Sequence, residues 1–416
     1  MSRSLRIAFL LPTFPELSNT FIVTQAIGLI ERGHEVDLFA VQRKRFEGAP
    51  PEVARLDQQS RMRHLVVPRG RWMRFRSALA LLASAGGRHP AILDALNPIV
   101  HGRQAWNLVH LHTAASFLRA RRYDVLHCQF GDLGPAAERL VRFGAVDSAL
   151  VTSFRGADLT AHLERRPRHF AALFRRGDLF MPVSAEFRRR LIAAGAPAER
   201  VAVQHSGIDV ARFPFHSREA PVSRPVLLFV GRLTEKKGLE YVLHALASLR
   251  ASGRDAELNV IGGGPLERSL ALTSRALGLD DRVSFLGPLP YQEVVQSMHR
   301  AHVLVAPSVT AASGDQEGIP NVLKEAMATG LPVVATRHSG IPELVEHGVN
   351  GFLVPERDAD SLALHLGELL DHPERWPAFG RAGRERVVSM FDARSLNDAL
   401  VEHYRAVVAA RDRHGA

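Results

Sequence analysis

The chain has 416 residues, 46% of them hydrophobic, which suffices for two cores of ordinary domain size and excludes a disordered polymer. A single cysteine, Cys128, excludes a disulfide framework and a cysteine-ligated metal, and no run approaches the roughly 18–20 apolar residues that cross a bilayer. The formal charge of +10 is concentrated in residues 1–215, where 31 Lys and Arg face 18 Asp and Glu, against 22 and 25 in the remainder. A basic half suits an anionic partner: a phosphorylated acceptor, nucleic acid or an acidic membrane surface.

Residues 5–11 have the length and composition of a buried strand, and no small-residue cleavage site follows them. With the lone cysteine, this predicts a cytoplasmic protein. A polar loop, 12–19, precedes a helical pattern over 20–32 that Gly33 closes. Residues 36–41 form the next strand, so the chain opens as a doubly wound parallel sheet does. Residues 43–105 show no clean period. Within them the basic, aromatic stretch 61–76, with Trp72 and Phe75, reads either as a membrane-facing surface or as a solvated basic face. Strands return at 125–127, 149–152 and 179–183.

Three prolines, Pro214, Pro221 and Pro225, mark residues 209–225 as the connecting segment. The βα rhythm then restarts, with strands at 226–230, 258–261, 283–286, 302–306 and 332–335 and helices beginning near Gly238, Pro265, Tyr291 and Pro320. The expected architecture is α/β, two Rossmann-like doubly wound domains facing a cleft. The expected bounds are 1–213, a linker at 214–225, 226–390, and a final helix, 391–416, returning to the first domain.

Several turns carry the chemistry. Asp315-Gln316-Glu317-Gly318-Ile319-Pro320-Asn321 leads into a helix, with Pro320 expected at the first helical position, where its missing N–H costs nothing. Backbone amides around Gly318–Asn321 would then point from a helix N-terminus, a setting that favours a phosphate. Glu317 either complements that dipole or accepts sugar hydroxyls. Glu325 is either a solvated helix residue or a second contact to the same ligand. In Gly231-Arg232-Leu233-Thr234-Glu235-Lys236-Lys237-Gly238, Arg232 and Lys237 flank a turn where two cations could hold a diphosphate. The glycine spacing is not that of a Walker loop. Gly262-Gly263-Gly264-Pro265 is either a tight turn or a place where backbone approaches a base or phosphate closely.

In the first half, Ser18, Asn19 and Thr20 stand at a helix start, where Ser18 suits an N-cap. Phe154-Arg155-Gly156-Ala157-Asp158 offers a cation and a carboxylate at a strand's C-terminal end, where doubly wound folds bind ligands. Asp358-Ala359-Asp360 looks like a metal motif but precedes an amphipathic run, so capping explains it better. His110 and His112 lack the partners of a metal site.

Taken in order, these segments resemble glycosyltransferase family 4, retaining enzymes of the GT-B fold. The resemblance rests on Gly231-Arg232-Leu233, Lys237-Gly238, Gly262-Gly263-Gly264-Pro265, the pair Glu317 and Glu325, Ala326 to Ala335, Gly340-Ile341-Pro342-Glu343-Leu344 and Asn350 to Val354. The first half, through Phe14-Pro15, His127-Cys128-Gln129-Phe130-Gly131 and Arg176-Gly177-Asp178, is similar to exopolysaccharide transferases of the colanic-acid and amylovoran type.

The resemblance implies a nucleotide-sugar donor as co-substrate, no metal or other cofactor, and a glycan, lipid-linked or small-molecule acceptor. It implies no nucleic-acid partner, and the basic half suits peripheral contact with an anionic membrane at the inner face. By position, Arg232 and Lys237 would hold the donor diphosphate, Glu317 the sugar and Glu325 the ribose. Gly318, Ile319 and Pro320 would present amides, Gly231, Gly263 and Gly264 would line the donor site, and Ser18, Asn19 and Thr20 would face the diphosphate. His127, Gln129 and Asp158 would lie on the acceptor side. Arg155 stands where the family usually has His; it cannot shuttle a proton near neutral pH but can stabilise charge. Gln129 likewise replaces a usual His. A small-natural-product transferase and a nucleotide-sugar epimerase are the alternatives on the same fold.

Overall fold

The structure is a computed structural model that describes residues 3–14, 20–43, 56, 61–65, 68, 70–83, 89–101, 103–118, 122–156, 158–160, 168–221 and 223–415. Two six-stranded sheets organise the chain. The first contains β1 (Arg6–Phe14), β2 (Glu35–Arg43), β3 (Met62–His64), β4 (Val125–Cys128), β5 (Ala149–Phe154) and β6 (Leu179–Pro182). The second contains β7 (Val226–Val230), β8 (Glu257–Ile261), β9 (Val283–Gly287), β10 (Val303–Ala306), β11 (Val333–Thr336) and β12 (Phe352–Val354).

All pairings are parallel, and the spatial orders are β3-β2-β1-β4-β5-β6 and β12-β11-β10-β7-β8-β9. Counted from its own first strand, each sheet has the Rossmann order 3-2-1-4-5-6, with a switch point between its first and fourth strands. The central strands β4, β5, β10 and β11 are buried along their whole length. Parallel strands covered by helices on both faces read in this way, as near-continuous apolar runs.

Differences from the sequence reading have local causes. β1 runs on to Phe14, past Pro12, whereas the apolar pattern stops at Leu11. β4 pairs with β1 only as far as Leu10, while β2 continues alongside to Phe14. Pro12 therefore stands where one side of the strand is already an edge, and its missing N–H interrupts little. β3 and β12 leave no signal in the sequence, because three residues are too few to display a period.

The proline-rich connection is fastened rather than loose. Phe213 and Arg218 are buried, and the Arg218 guanidinium donates to the carbonyls of Ala301, Met298 and His216. Desolvation pushes its pKa down to about 10. The two chain crossings between the sheets are joined to each other: Ile208 N–H donates to Phe391 O and Ala393 N–H to Ile208 O, each at 2.9 Å.

The last helix, Ala393–Gly415, lies against Thr20–Glu31 of the first domain. Gly28 permits this approach, since a Cβ there would stand 2.0 Å from Asn397 Nδ2. Arg32 Nε pairs with Asp398 Oδ1 at 2.6 Å beside it. Asp358 caps the helix Ala359–Asp371 by accepting from Ser361 N–H, as the capping reading expects. Among the described residues no helix is long and apolar enough to cross a membrane.

Candidate active site

The loops after β7, β8 and β10 meet at the C-terminal edge of the second sheet. Gly231 N–H donates to Ile261 O and Leu233 N–H to Gly263 O, which zips the first two turns together. Gly262 has φ +127°, and a Cβ there would lie 2.0 Å from Gly231 O; one at Gly264 would lie 2.5 Å from Leu233 O. Gly264, expected to line the donor site, is therefore occupied in packing backbone on backbone. Gly263 has no backbone within 3.4 Å of such a Cβ, and it is the glycine of this turn that leaves room for a ligand.

The turn Glu235–Lys237 ends at Gly238, left-handed at φ +66° and packed against Pro307 O. It delivers two ammonium groups to one carboxylate. Lys237 Nζ lies 3.2 Å from Glu317 Oε2, and Lys236 Nζ lies 3.3 Å from Glu317 Oε1 and 3.0 Å from Asp315 Oδ2. Lys236, missed as a site residue, was legible only as Lys237's neighbour. Burial alone would raise the Glu317 pKa; the two lysines outweigh it and hold the group down to about 2. Arg232, expected to pair with Lys237 around a diphosphate, is exposed on the same turn and makes no ion pair among the described residues.

Glu317 is fixed through its backbone as well. Its N–H donates to His338 Nε2 at 3.1 Å, which leaves the ring proton on Nδ1, 2.6 Å from Glu356 Oε1. Glu356 in turn accepts from Thr310 N–H at 2.7 Å. His338 and Glu356 escaped the sequence reading. They sit between recognisable motifs, and only the third dimension puts them behind Glu317.

The helix Asn321–Ala328 follows. Pro320 is its N-cap, with ψ +131°, one position earlier than expected, and no side chain caps the end. The N–H groups of Gly318 and Ile319 have no partner among the described residues. They precede the helix and follow Glu317 in the chain, which makes them candidate donors to an anion. Glu325 is half-buried further along and lines a cavity of about 350 Å³ with Asn321, Arg212, Tyr291, Phe21 and Thr24, residues drawn from both domains. Burial raises its pKa to about 7. Glu317 and Glu325 thus present carboxylates to different parts of the cleft.

The first domain meets this wall closely. A Cβ on Gly318 would stand 2.8 Å from Val183 Cγ2 and 3.3 Å from Arg155 O. Glu343 Oε1 accepts from Ala185 N–H at 2.8 Å, so a carboxylate of the second domain caps the first domain's helix Ala185–Ala193. The Arg155 side chain donates to Gln129 O at 3.0 Å, Gln129 Oε1 at 2.8 Å and Ser206 Oγ at 2.7 Å, with its guanidinium 4.5 Å from the centre of the Phe21 ring. Burial lowers its pKa to about 10, so it stays charged at neutral pH.

The three residues expected on the acceptor side are otherwise engaged. His127 is fully buried, with Nδ1 2.5 Å from Tyr404 Oη and Nε2 2.8 Å from Ser153 Oγ. No ring nitrogen is left for an acceptor, and burial, then Arg155, drives its pKa well down. Asp158 is buried and accepts from the N–H groups of Gly131, Arg155 and Gly156. Gln129 is buried beneath Arg155. Gln129 holds the guanidinium and Asp158 the Arg155 backbone. Ser18 and Asn19 lie outside the described residues, as does the side chain of Thr20, whose backbone begins the helix Thr20–Glu31.

Comparison with known proteins fits this geometry. Residues 224–372 match the family of group 1 glycosyl transferases, and residues 18–212 match Glycosyltransferase Family 4. WcaL of Salmonella typhimurium, named for a colanic acid biosynthesis glycosyltransferase, is 36% identical over 403 residues, 95% of this chain and 98% of its own. The amylovoran biosynthesis glycosyltransferase AmsK of Erwinia amylovora is 33% identical over 366 residues, 87% of this chain and 90% of its own. Among solved structures, Anabaena Alr3699/HepE in complex with UDP superposes with a TM-score of 0.72 at 19% identity, covering 97% of this chain and 100% of that one. Sucrose-phosphate synthase from Thermosynechococcus elongatus gives 0.70 at 20%, with the same coverage. The two sheets, their shared order and the cleft between them are the GT-B fold, and the chain belongs to the family 4 glycosyltransferases.

Proposed function

We propose that the chain moves a sugar from a nucleoside-diphosphate sugar, bound in the cleft between the two sheets, to a glycan or lipid-linked acceptor in exopolysaccharide assembly. It does so in the cytoplasm with retention of anomeric configuration. The observation that carries the reading is the pair Lys236 and Lys237 on Glu317, next in the chain to the Gly318 and Ile319 amides, which have no partner among the described residues. Diphosphate departure places negative charge on a terminal phosphate oxygen, and fixed cations and amides stabilise that charge without reorganising. These donors supply the role that a divalent cation would otherwise fill, which supports a reaction needing no metal. Arg232, exposed on the same turn, is positioned to join them.

The character of Glu317 argues against a covalent glycosyl-enzyme at this residue and supports a front-face course for the proposed retention. A carboxylate held near pKa 2 between two ammonium groups is a poor base and a poor nucleophile. Its part is to accept hydrogen bonds from the donor sugar. The acceptor hydroxyl then loses its proton to the departing phosphate oxygen. The bond from the anomeric carbon to that oxygen breaks, and the bond to the acceptor oxygen forms on the same face. The names of the full-length relatives favour a polysaccharide acceptor over a small natural product.

A thermal-shift series with UDP, GDP, ADP and TDP, each with and without EDTA, tests the donor site. The expected result is a raised melting temperature with one diphosphate, unchanged by EDTA, which names the base. A shift that EDTA abolishes overturns metal independence, and a donor-only incubation that yields an epimerised nucleotide sugar overturns transfer.

A further inference from the structure

Eight of the fourteen large apolar side chains exposed among the described residues fall between positions 72 and 106. Trp72, Phe75 and Leu79 stand at i, i+3 and i+7 on the helix Arg71–Ala83, so they form one stripe, while Ala78 on the same helix is buried. Trp72 is 70% exposed and stacks on Phe75, with ring centroids 6.0 Å apart. Ile99 and Trp106 are 94% and 75% exposed. Arg74 Nη1 donates to Asn107 O at 3.3 Å, which ties the first turn of the stripe's helix to the residue after Trp106. That helix starts shortly after β3 ends, so Trp72 lies towards the C-terminal edge of the sheet, the edge at which Gln129 and Arg155 also emerge.

The charge of this stretch of sequence is one-sided. Residues 61–118 contain eight arginines, no lysine and one carboxylate, Asp94. That carboxylate is held by Arg139, whose Nε lies at 2.9 Å. Arg71 and Arg76 are exposed beside the aromatic rings and make no ion pair among the described residues. Tryptophan and phenylalanine interleaved with arginine, without carboxylates, match the headgroup layer of an acidic bilayer, where indole rings settle and guanidinium groups meet phosphates. A second copy of the chain would bring the same arginines face to face, which disfavours self-association.

We infer that this rim docks on an anionic lipid bilayer and holds the cleft beside it. Docking is independent of the transferase reading; only the arrival of a lipid-linked acceptor through this face rests on that reading. The surface joins the two halves of the stretch that the sequence leaves open, since the rings contact lipid and the arginines its phosphates.

Intrinsic fluorescence provides the test, because the chain has three tryptophans and Trp376 is fully buried. The full-length protein is mixed, without donor, with phosphatidylcholine vesicles that do or do not contain phosphatidylglycerol, each with doxyl-labelled lipid as quencher. The expected result is quenching on the phosphatidylglycerol vesicles, with partitioning at least about tenfold weaker on phosphatidylcholine alone or at high salt. The double substitution Trp72→Ser, Phe75→Ser is expected to weaken partitioning by about tenfold or more while leaving the nucleotide-induced melting shift in place. Arg71→Glu with Arg76→Glu is expected to do the same and covers the case in which the first variant misfolds. Absence of quenching, binding indifferent to both variants, or a dimer that Trp72→Ser, Phe75→Ser dissolves would overturn the inference. Loss of sugar transfer with vesicle binding intact would count against the transferase reading alone.

Discussion

The Glu317 carboxylate and the Lys237 ammonium stand 3.2 Å apart, so the cation proposed to hold a diphosphate is already engaged by a carboxylate from a neighbouring loop. Binding of a diphosphate makes the two anions share Lys237 and Lys236. Glu317→Gln separates the consequences: the amide keeps the shape, loses the charge-assisted bonds to the sugar and frees the lysines. Sugar transfer is expected to fall by the worth of a charged hydrogen bond, about 1.5–3 kcal/mol or roughly 10- to 150-fold in kcat/KM. The melting shift given by the nucleoside diphosphate alone should persist or grow. Full transfer activity in this variant would remove Glu317 from the site.

Arg155 presents a planar fork to Gln129 O, Gln129 Oε1 and Ser206 Oγ at once, an arrangement that an ammonium cannot copy. Arg155→Lys is therefore expected to lower kcat/KM by about tenfold or more, since a single point charge replaces several charged bonds of about 1.5–3 kcal/mol each. Because the pKa of Arg155 remains about 10, residue 155 should contribute no limb to the wild-type pH–rate profile between neutral pH and about 9. Arg155→His should lose activity too, for the surroundings are built for a fork. A histidine variant as active as the wild type, with a new acid limb, would show that the position acts as a proton shuttle after all.

How far the sequence reaches is visible in these same residues. The ten expected strands all exist, because buried parallel strands are apolar runs bounded by glycine and proline, a signal that needs no partner to be read. Glu317, Lys237 and Gly318 stand out as candidates for the same reason: they lie in turns that follow such strands. Roles that depend on distant residues do not. Gly264 looks like a ligand glycine until Leu233 is found packed on it. His127 looks like an acceptor contact until Tyr404, from the last helix, takes its Nδ1. Pro320 was expected inside the helix, yet its ψ places it one residue before the first turn.

Glu343 closes a contact between the domains that no sequence pattern announces. Its carboxylate caps Ala185 N–H at 2.8 Å, with Glu186 N–H at 3.4 Å, while its own carbonyl accepts from Arg386. Glu343→Ala should weaken the apposition of the domains by about 0.5–2 kcal/mol, the usual worth of an N-cap. The expected signature is a larger radius of gyration in solution scattering and a raised KM for the donor. The melting transition of each isolated core should change little, because the lost bonds lie between the cores. An unchanged scattering profile together with an unchanged KM would reduce Glu343 to a local contact.

Lys324 is completely buried, its Nζ 2.6 Å from Ser206 O and 5.5 Å from the centre of the Phe391 ring. Desolvation dominates its surroundings, Arg155 adds repulsion, Glu325 compensates only in part, and the pKa falls to about 7. A base whose folded pKa lies below its unfolded value of 10.5 binds fewer protons folded than unfolded between those limits. Stability attributable to Lys324 therefore rises as the pH climbs from about 7 towards 10.5, and below 7 the buried ammonium is a constant cost. Lys324→Met removes the titration and keeps the apolar stem. The variant is expected to be more stable than the wild type at about pH 6.5, by something on the order of 1 kcal/mol after the lost bond to Ser206 O is counted. That advantage should shrink, and then reverse, by about pH 9.5. Urea unfolding of both proteins across this range reads the difference directly. A gap that stays constant or widens with pH would mean that Lys324 keeps an ordinary pKa, and that Ser206 O and the Phe391 ring solvate its ammonium fully.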